Sequence, residues 1–196
     1  MKRFDRSQII MFLHGLDAGL KSKLEVFMIG GMAAILGYDA DVKTADMDVW
    51  ISPENEDDLK QAALTARKMT GFAIFLDKAS IAELPHHYEE RTKPLRGVTF
   101  KKLTVTIPDK YDLVLSKTLR ADPHDIEAIE SIHAQHPLSE KTLVERFEDD
   151  FWKNATTEPR KFAFHMALVI RALYGEERAK HYMDKWERAR ASWKWG

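Results

Sequence analysis

The stretch Leu24-Glu25-Val26-Phe27-Met28-Ile29-Gly30-Gly31-Met32-Ala33-Ala34, followed after a polar connection by Thr44-Ala45-Asp46-Met47-Asp48-Val49-Trp50-Ile51, decides how this chain folds. The apolar run 24–29 reads as a short buried strand that enters a Gly-Gly turn, and 32–36 reads as the start of a helix. The second segment alternates with period two. Met47, Val49 and Ile51 therefore face a core, while Asp46 and Asp48 share the other face with Cα atoms about 6.5 to 7 Å apart. Two carboxylates so placed repel each other, and a divalent cation with a polyphosphate removes that penalty. Glycines without Cβ let a phosphate approach the amides of a helix start, where the dipole favours an anion. Thr44 either caps the Asp46 backbone or reaches the same phosphates. A Gly-Gly turn alone is ordinary structure, and so is D-x-D on an edge strand. In this order the parts fit phosphoryl or nucleotidyl transfer.

Working outward, residues 5–19 place Ile9, Ile10, Leu13, Leu16 and Leu20 at helical spacing. Ser52 and Pro53 open a further helix to about Thr70. The acids Glu54, Glu56, Asp57 and Asp58 crowd its first turns, where the dipole favours them and no metal is required. Residues 72–76 and 98–107 are expected strands, the latter ended by Pro108. Helices are expected at 111–119, 122–133, 139–152, 159–173 and 176–193. The fold class is α/β of the α+β type: a small mixed sheet flanked by helices over residues 1–120, then a helical region, 121–196, packed on it.

The chain has 196 residues, a net charge of −1, 44% hydrophobic residues and no cysteine. A disulfide framework, a thiolate zinc site and a cysteine nucleophile are thereby excluded. The longest uncharged run, 26–38, has 13 residues, short of the roughly 18 that cross a bilayer. No signal peptide is evident, so a cytoplasmic protein without membrane attachment is expected. No G-x-x-x-x-G-K-S/T, G-x-G-x-x-G, H-E-x-x-H or G-x-S-x-G motif occurs. Asp39-x-Asp41-x-Lys43 fails as a calcium loop, and the pairs His133/His136 and His86/His87 read as solvated histidines. Residues 122–150 carry nine acids and two bases, whereas 160–196 carry nine bases and four acids. The basic segment, with Trp186, Trp193 and Trp195 among Arg188, Arg190 and Lys194, reads first as a helix hairpin packed through its tryptophans and second as a nucleic-acid surface.

Ile29-Gly30-Gly31-Met32-Ala33-Ala34 with Thr44-Ala45-Asp46-Met47-Asp48-Val49 resembles the G-G-x-A…T-x-D-h-D-h signature of the nucleotidyltransferase (polymerase beta-like) superfamily. More narrowly, the chain is similar to the minimal nucleotidyltransferases of AbiEii-like toxins from toxin–antitoxin systems. That likeness continues through Asp112-Leu113-Val114-Leu115-Ser116-Lys117 and Arg120-Ala121-Asp122-Pro123-His124-Asp125-Ile126, and it covers roughly residues 24–130. The resemblance implies a nucleoside triphosphate as substrate and magnesium as cofactor. Gly30 and Gly31 would hold triphosphate, and Asp46 and Asp48 would bind magnesium. Lys117 would contact phosphate or help the acceptor, and Asp125 would act as base or orient that lysine. Lys43 stands nearest to an arginine often found before the threonine. RNA, including tRNA, is an implied acceptor and a cognate antitoxin an implied partner. The third carboxylate that many members carry on a later strand has no counterpart in 101–107, and Asp109 is a poor replacement. The alternatives are a degenerate member that only binds nucleotide or protein, and an enzyme that modifies small molecules such as antibiotics.

Overall fold

The computed structural model describes residues 2–79, 84–152 and 158–191. Helix α1, Arg6–Gly19, begins with a capping box in which Asp5 accepts from the Gln8 amide and the Gln8 side chain accepts from the Asp5 amide. Strand β1, Leu24–Met28, leads into α2, Gly30–Tyr38, and β2 follows at Asp46–Trp50. A short 3-10 turn, Pro53–Asn55, opens α3, Glu56–Thr70, which packs along α1. Strands β3, Phe75–Lys78, β4, Lys93–Pro94, and β5, Leu103–Ile107, complete the sheet.

The sheet has the order β3-β2-β1-β5-β4, parallel between β2 and β3 and between β1 and β5, antiparallel elsewhere. It is the mixed sheet the sequence leads one to expect. Leu24, Val26, Met28, Met47, Val49, Leu103, Val105 and Ile107 are buried, and they join one contiguous hydrophobic cluster that runs from Phe4 to Trp186. Period two sends Phe27, Asp46, Asp48, Trp50, Thr104 and Thr106 to the opposite face.

Two strands depart from expectation. The third begins at Phe75 rather than residue 72, because Ile74 is spent in the core and the chain pairs with β2 only from Phe75 onward. The fifth begins at Leu103 rather than residue 98. The Asp17 carboxylate there accepts from the Lys101, Lys102 and Leu103 amides at 3.1, 2.7 and 2.8 Å, and pairing with β1 starts at Leu103, opposite Leu24.

Helices α4, Lys110–Thr118, α5, Pro123–Gln135, α6, Glu140–Arg146, α7, Pro159–Tyr174, and α8, Glu176–Ala191, make up the helical remainder. The single helix expected at 139–152 is α6 followed by a π-helical turn, Phe147–Phe151. Helix α8 lies on this acidic segment. The Lys185 ammonium is 2.6 Å from Glu148, and the Arg178 Nε donates to Glu140 at 2.9 Å. Trp186 is 1% exposed and donates its indole N–H to Glu148 at 2.8 Å. The packing role of that helix is thus the one observed; Trp193, Trp195 and Lys194 lie outside the described residues. Among the described residues no helix is long and apolar enough to cross a membrane.

Candidate functional site

The Ile29 amide donates to the Asp48 carbonyl at 3.0 Å, which ties the start of α2 to the middle of β2. Gly30 has φ +67°, and a Cβ there would fall on the Asp48 carboxylate. A Cβ on Gly31 would stand 2.7 Å from the Thr44 hydroxyl oxygen. The glycines therefore make room for the side chains of Asp48 and Thr44 as well as leaving the helix start open. The Thr44 hydroxyl donates to the Asp46 carboxylate at 2.8 Å and so sets its direction.

Across the ladder Asp46 pairs with Phe75, and Asp48 pairs with Asp77. The parallel register puts Asp77 on the same face as the D-x-D acids, beside Asp48. The Asp48 carboxyl is pushed up to about 6, first by burial, then by the charges of Asp46 and Asp77, with Lys117 and Arg120 pulling the other way.

Those two cations come from α4 and the turn after it. Lys117 is buried at 7% exposure, with its ammonium 3.0 Å from an Asp125 oxygen, and Asp125 is itself 2% exposed. Arg120 reaches both oxygens of Asp125 at 3.2 Å while most of its side chain stays exposed. Ala121, in the left-handed region at φ +48°, reverses the chain here. Asp122 then caps α5, accepting from the His124 and Asp125 amides at 3.0 and 2.9 Å. This seats Asp125 in the first turn of α5, under Lys117 and Arg120.

The structure thus brings Gly30, Gly31, Thr44, Asp46, Asp48, Lys117 and Asp125 together. Lys43 is exposed, and its charge acts on Asp5 at the start of α1. Asp77 and Arg120 are two residues that sequence reasoning missed as members of the site. Asp77 stands just past the strand expected at 72–76, and Arg120 was visible only as a letter in the resemblance.

Asp112, conspicuous in that resemblance, is fully buried elsewhere. It accepts from Arg91 Nε at 2.8 Å and from Arg146 at 3.0 Å. Asp109 caps α4 and pairs with Lys93 and Arg146, both at 2.8 Å. Both acids anchor the segment before β4 to α4 and α6. His133 accepts the Leu138 amide and His136 lies 3.6 Å from Asp39, both structural contacts.

Among the described residues no three metal-binding side chains converge tightly enough to cage an ion unaided. The donor set nonetheless fits a hard divalent cation. It consists of hard carboxylate oxygens on one face of the sheet, where burial and then their mutual repulsion raise Asp48, and a cation would relieve that repulsion.

A family model described as "Nucleotidyltransferase of unknown function (DUF6036)" matches residues 9–171. No match was found among curated proteins or among solved structures.

Proposed function

The chain belongs to DUF6036, a family described as nucleotidyltransferases of unknown function, and on that premise we propose that it transfers a nucleoside monophosphate from a nucleoside triphosphate to an acceptor hydroxyl, with magnesium. The observation that carries this reading is the shared face of Asp46, Asp48 and Asp77 against the Gly30-Gly31 helix start, with Lys117 and Arg120 acting on Asp48. Magnesium bound there would neutralise the polyphosphate and the charge that builds on the leaving group.

Asp46 and Asp48 would hold the metal, with Asp46 in the direction that Thr44 gives it. The open amides at the start of α2 receive phosphate oxygens. Lys117 supplies a point charge toward the polyphosphate. Asp125, with both oxygens engaged by cations, positions Lys117 and Arg120 rather than taking a proton. The acceptor oxygen bonds to the α-phosphorus, the bond from that phosphorus to the α–β bridging oxygen breaks, and pyrophosphate leaves with the electron pair. The acceptor proton passes to the exposed carboxylate of Asp77. Lys43, exposed three residues before β2 begins at Asp46, would add positive charge for the triphosphate.

By the same reading the protein acts in the cytoplasm, resembles AbiEii-like toxins in its motifs, takes RNA as acceptor and is held in check by an antitoxin. In helix α8 Trp186 is buried, and Arg178 and Lys185 pair with Glu140 and Glu148, so these three are not free for the RNA.

The test is incubation of purified protein with each labelled nucleoside triphosphate, magnesium and total bacterial RNA. It compares the wild type with the Asp46→Ala, Asp48→Ala double variant. Label in RNA that disappears in the variant is the expected result. If RNA stays unlabelled, protein and small-molecule acceptors are tried in the same reaction. Nucleotide binding without transfer to any acceptor would replace the enzyme by a binding module.

A further inference from the structure

Beside the carboxylates, on the same face of the sheet, stand three aromatic rings with no part in the chemistry above. Phe27 of β1 and Trp50 of β2 are register partners, and their ring centres are 5.5 Å apart. Tyr88, from a short 3-10 turn at Tyr88–Arg91, sits 5.5 Å from Phe27 and 5.6 Å from Trp50. All three are half-buried, and none belongs to the hydrophobic cluster or to the side chains packed against it. The turn that carries Tyr88 is pinned from both sides. Arg91 pairs with Asp112 at 2.8 Å and Asp150 at 3.2 Å, and it donates to the His86 carbonyl at 2.7 Å. The His86 amide donates to the Asp150 carbonyl at 2.9 Å.

From this placement we propose that Phe27, Trp50 and Tyr88 form the stacking platform for the base of the donor nucleoside triphosphate. The inference rests on the nucleotidyl-transfer reading and adds where the nucleoside lies. Direction selects the occupant. Gly30 abuts Asp48 and Gly31 abuts Thr44, so the phosphate-receiving helix start runs from Asp48 toward Thr44, away from Trp50. Trp50 follows Asp48 by two residues, roughly 6.5 to 7 Å along an extended strand. That is comparable to the reach from an α-phosphorus across ribose to its base. A nucleotide with its α-phosphate at Asp48 and its polyphosphate along α2 therefore lays its base on the rings.

The platform reads faces rather than edges. The indole N–H of Trp50 is already given to the Ala79 carbonyl, and the Tyr88 hydroxyl is engaged by Glu89. Every base offers a π-face, so such a surface accepts all four with little discrimination.

The experiment measures binding of ATP, CTP, GTP and UTP against inorganic tripolyphosphate, each with magnesium, to wild type, Trp50→Ala, Trp50→Phe and Tyr88→Leu. Wild type is expected to bind each nucleotide roughly 10- to 100-fold more tightly than tripolyphosphate, the range that stacking of one base provides. Trp50→Ala is expected to lose most of that advantage for all four while tripolyphosphate affinity holds, which also shows that the variant is folded. Trp50→Phe should keep it within a few-fold, and Tyr88→Leu should lose part. An advantage that is absent in wild type, or unchanged in both Trp50→Ala and Tyr88→Leu, overturns the proposal. Loss of RNA affinity with nucleotide affinity intact overturns it too, because the rings would then hold the acceptor. If nucleotides behave as expected yet no acceptor is ever labelled, the transfer reading fails and the platform stands.

Discussion

Asp48 is the residue at which fold and chemistry oppose each other most directly. Its carboxyl is raised to about 6 because burial and the charges of Asp46 and Asp77 all disfavour ionisation. A carboxyl whose folded value lies above its unfolded one binds its proton more tightly in the native state. Its penalty on stability is therefore small at pH 4 and below, accumulates between about pH 4 and 6, and is complete above that. Two units would amount to about 3 kcal/mol; screening at this half-buried position brings the effect to about 1–2 kcal/mol. Asp48→Asn is thus expected to stabilise the metal-free protein by about 1–2 kcal/mol at pH 8 and by almost nothing at pH 4, while abolishing transfer. Urea unfolding of both proteins at the two pH values checks this, and an equal difference at both would show that ionisation is not the cause. In the wild type the same proton competes with the cation, so apparent magnesium affinity is expected to increase from pH 5 to pH 7. Titration calorimetry would register the proton released.

Among the elements, the 3-10 turn Tyr88–Arg91 before β4 is held from outside by the ion pairs of Arg91. Asp112 is fully buried and accepts from two guanidinium groups, Arg91 and Arg146. Asp112→Asn leaves those cations with Asp109 and Asp150 as their remaining partners. A broken buried pair costs about 3–5 kcal/mol, and the partial compensation makes about 3 kcal/mol the expected loss here. The loss should be accompanied by weaker nucleotide binding, since Arg91 also fixes the turn that carries Tyr88. Thermal unfolding and nucleotide titration of the one variant read both effects, and a stability loss below 1 kcal/mol would show that the pairs are replaceable.

What was legible along the chain follows the range of the interactions concerned. The β1–α2–β2 unit was readable because period-two alternation and a Gly-Gly turn are local signals. So was the order of the helices, whereas Ser52, expected to cap the helix before Thr70, makes no capping side-chain bond, and α3 starts after Asn55. Asp77 was not readable: the apolar run 72–74 looked like a strand, and only the parallel pairing of β3 with β2, a non-local event, shows that the ladder starts at Phe75. The resemblance places a third carboxylate on a later strand, and 101–107 carries none. The start of β5 is likewise set at long range, because Asp17, more than eighty residues earlier, binds the amides of Lys101, Lys102 and Leu103 at its entry. Arg120 depends on the left-handed Ala121, which no periodicity reveals.

At the scale of the molecule, part of the charge contrast of the second half is met in an internal contact. Glu140 of α6 and Glu148 of the π-helical turn pair with Arg178 and Lys185 of α8, and these exposed ion pairs contribute only about 0–1 kcal/mol each. The join is held instead by Trp186, whose ring centre is 4.9 Å from Phe147 and 5.5 Å from Tyr182, with 1% of the residue exposed. The cluster that contains Trp186 is continuous with the one beneath the sheet. A division into residues 1–120 and 121–196 would then be a division of sequence and not of cooperativity. Trp186→Ala removes a large buried ring and leaves the Glu148 carboxylate without its indole donor, so a loss of about 3–5 kcal/mol is expected. If the cluster is one cooperative unit, helix content by circular dichroism and the environment of Trp50 by fluorescence will be lost together at one lowered midpoint, with the denaturant slope unchanged. Two separate midpoints, with the Trp50 signal surviving at wild-type denaturant concentrations, would show that the helical region docks on a sheet that stands without it. The same titration in 1 M salt separates the two contributions. The midpoint of the wild type should move little, because the ion pairs are screened while the ring packing is not.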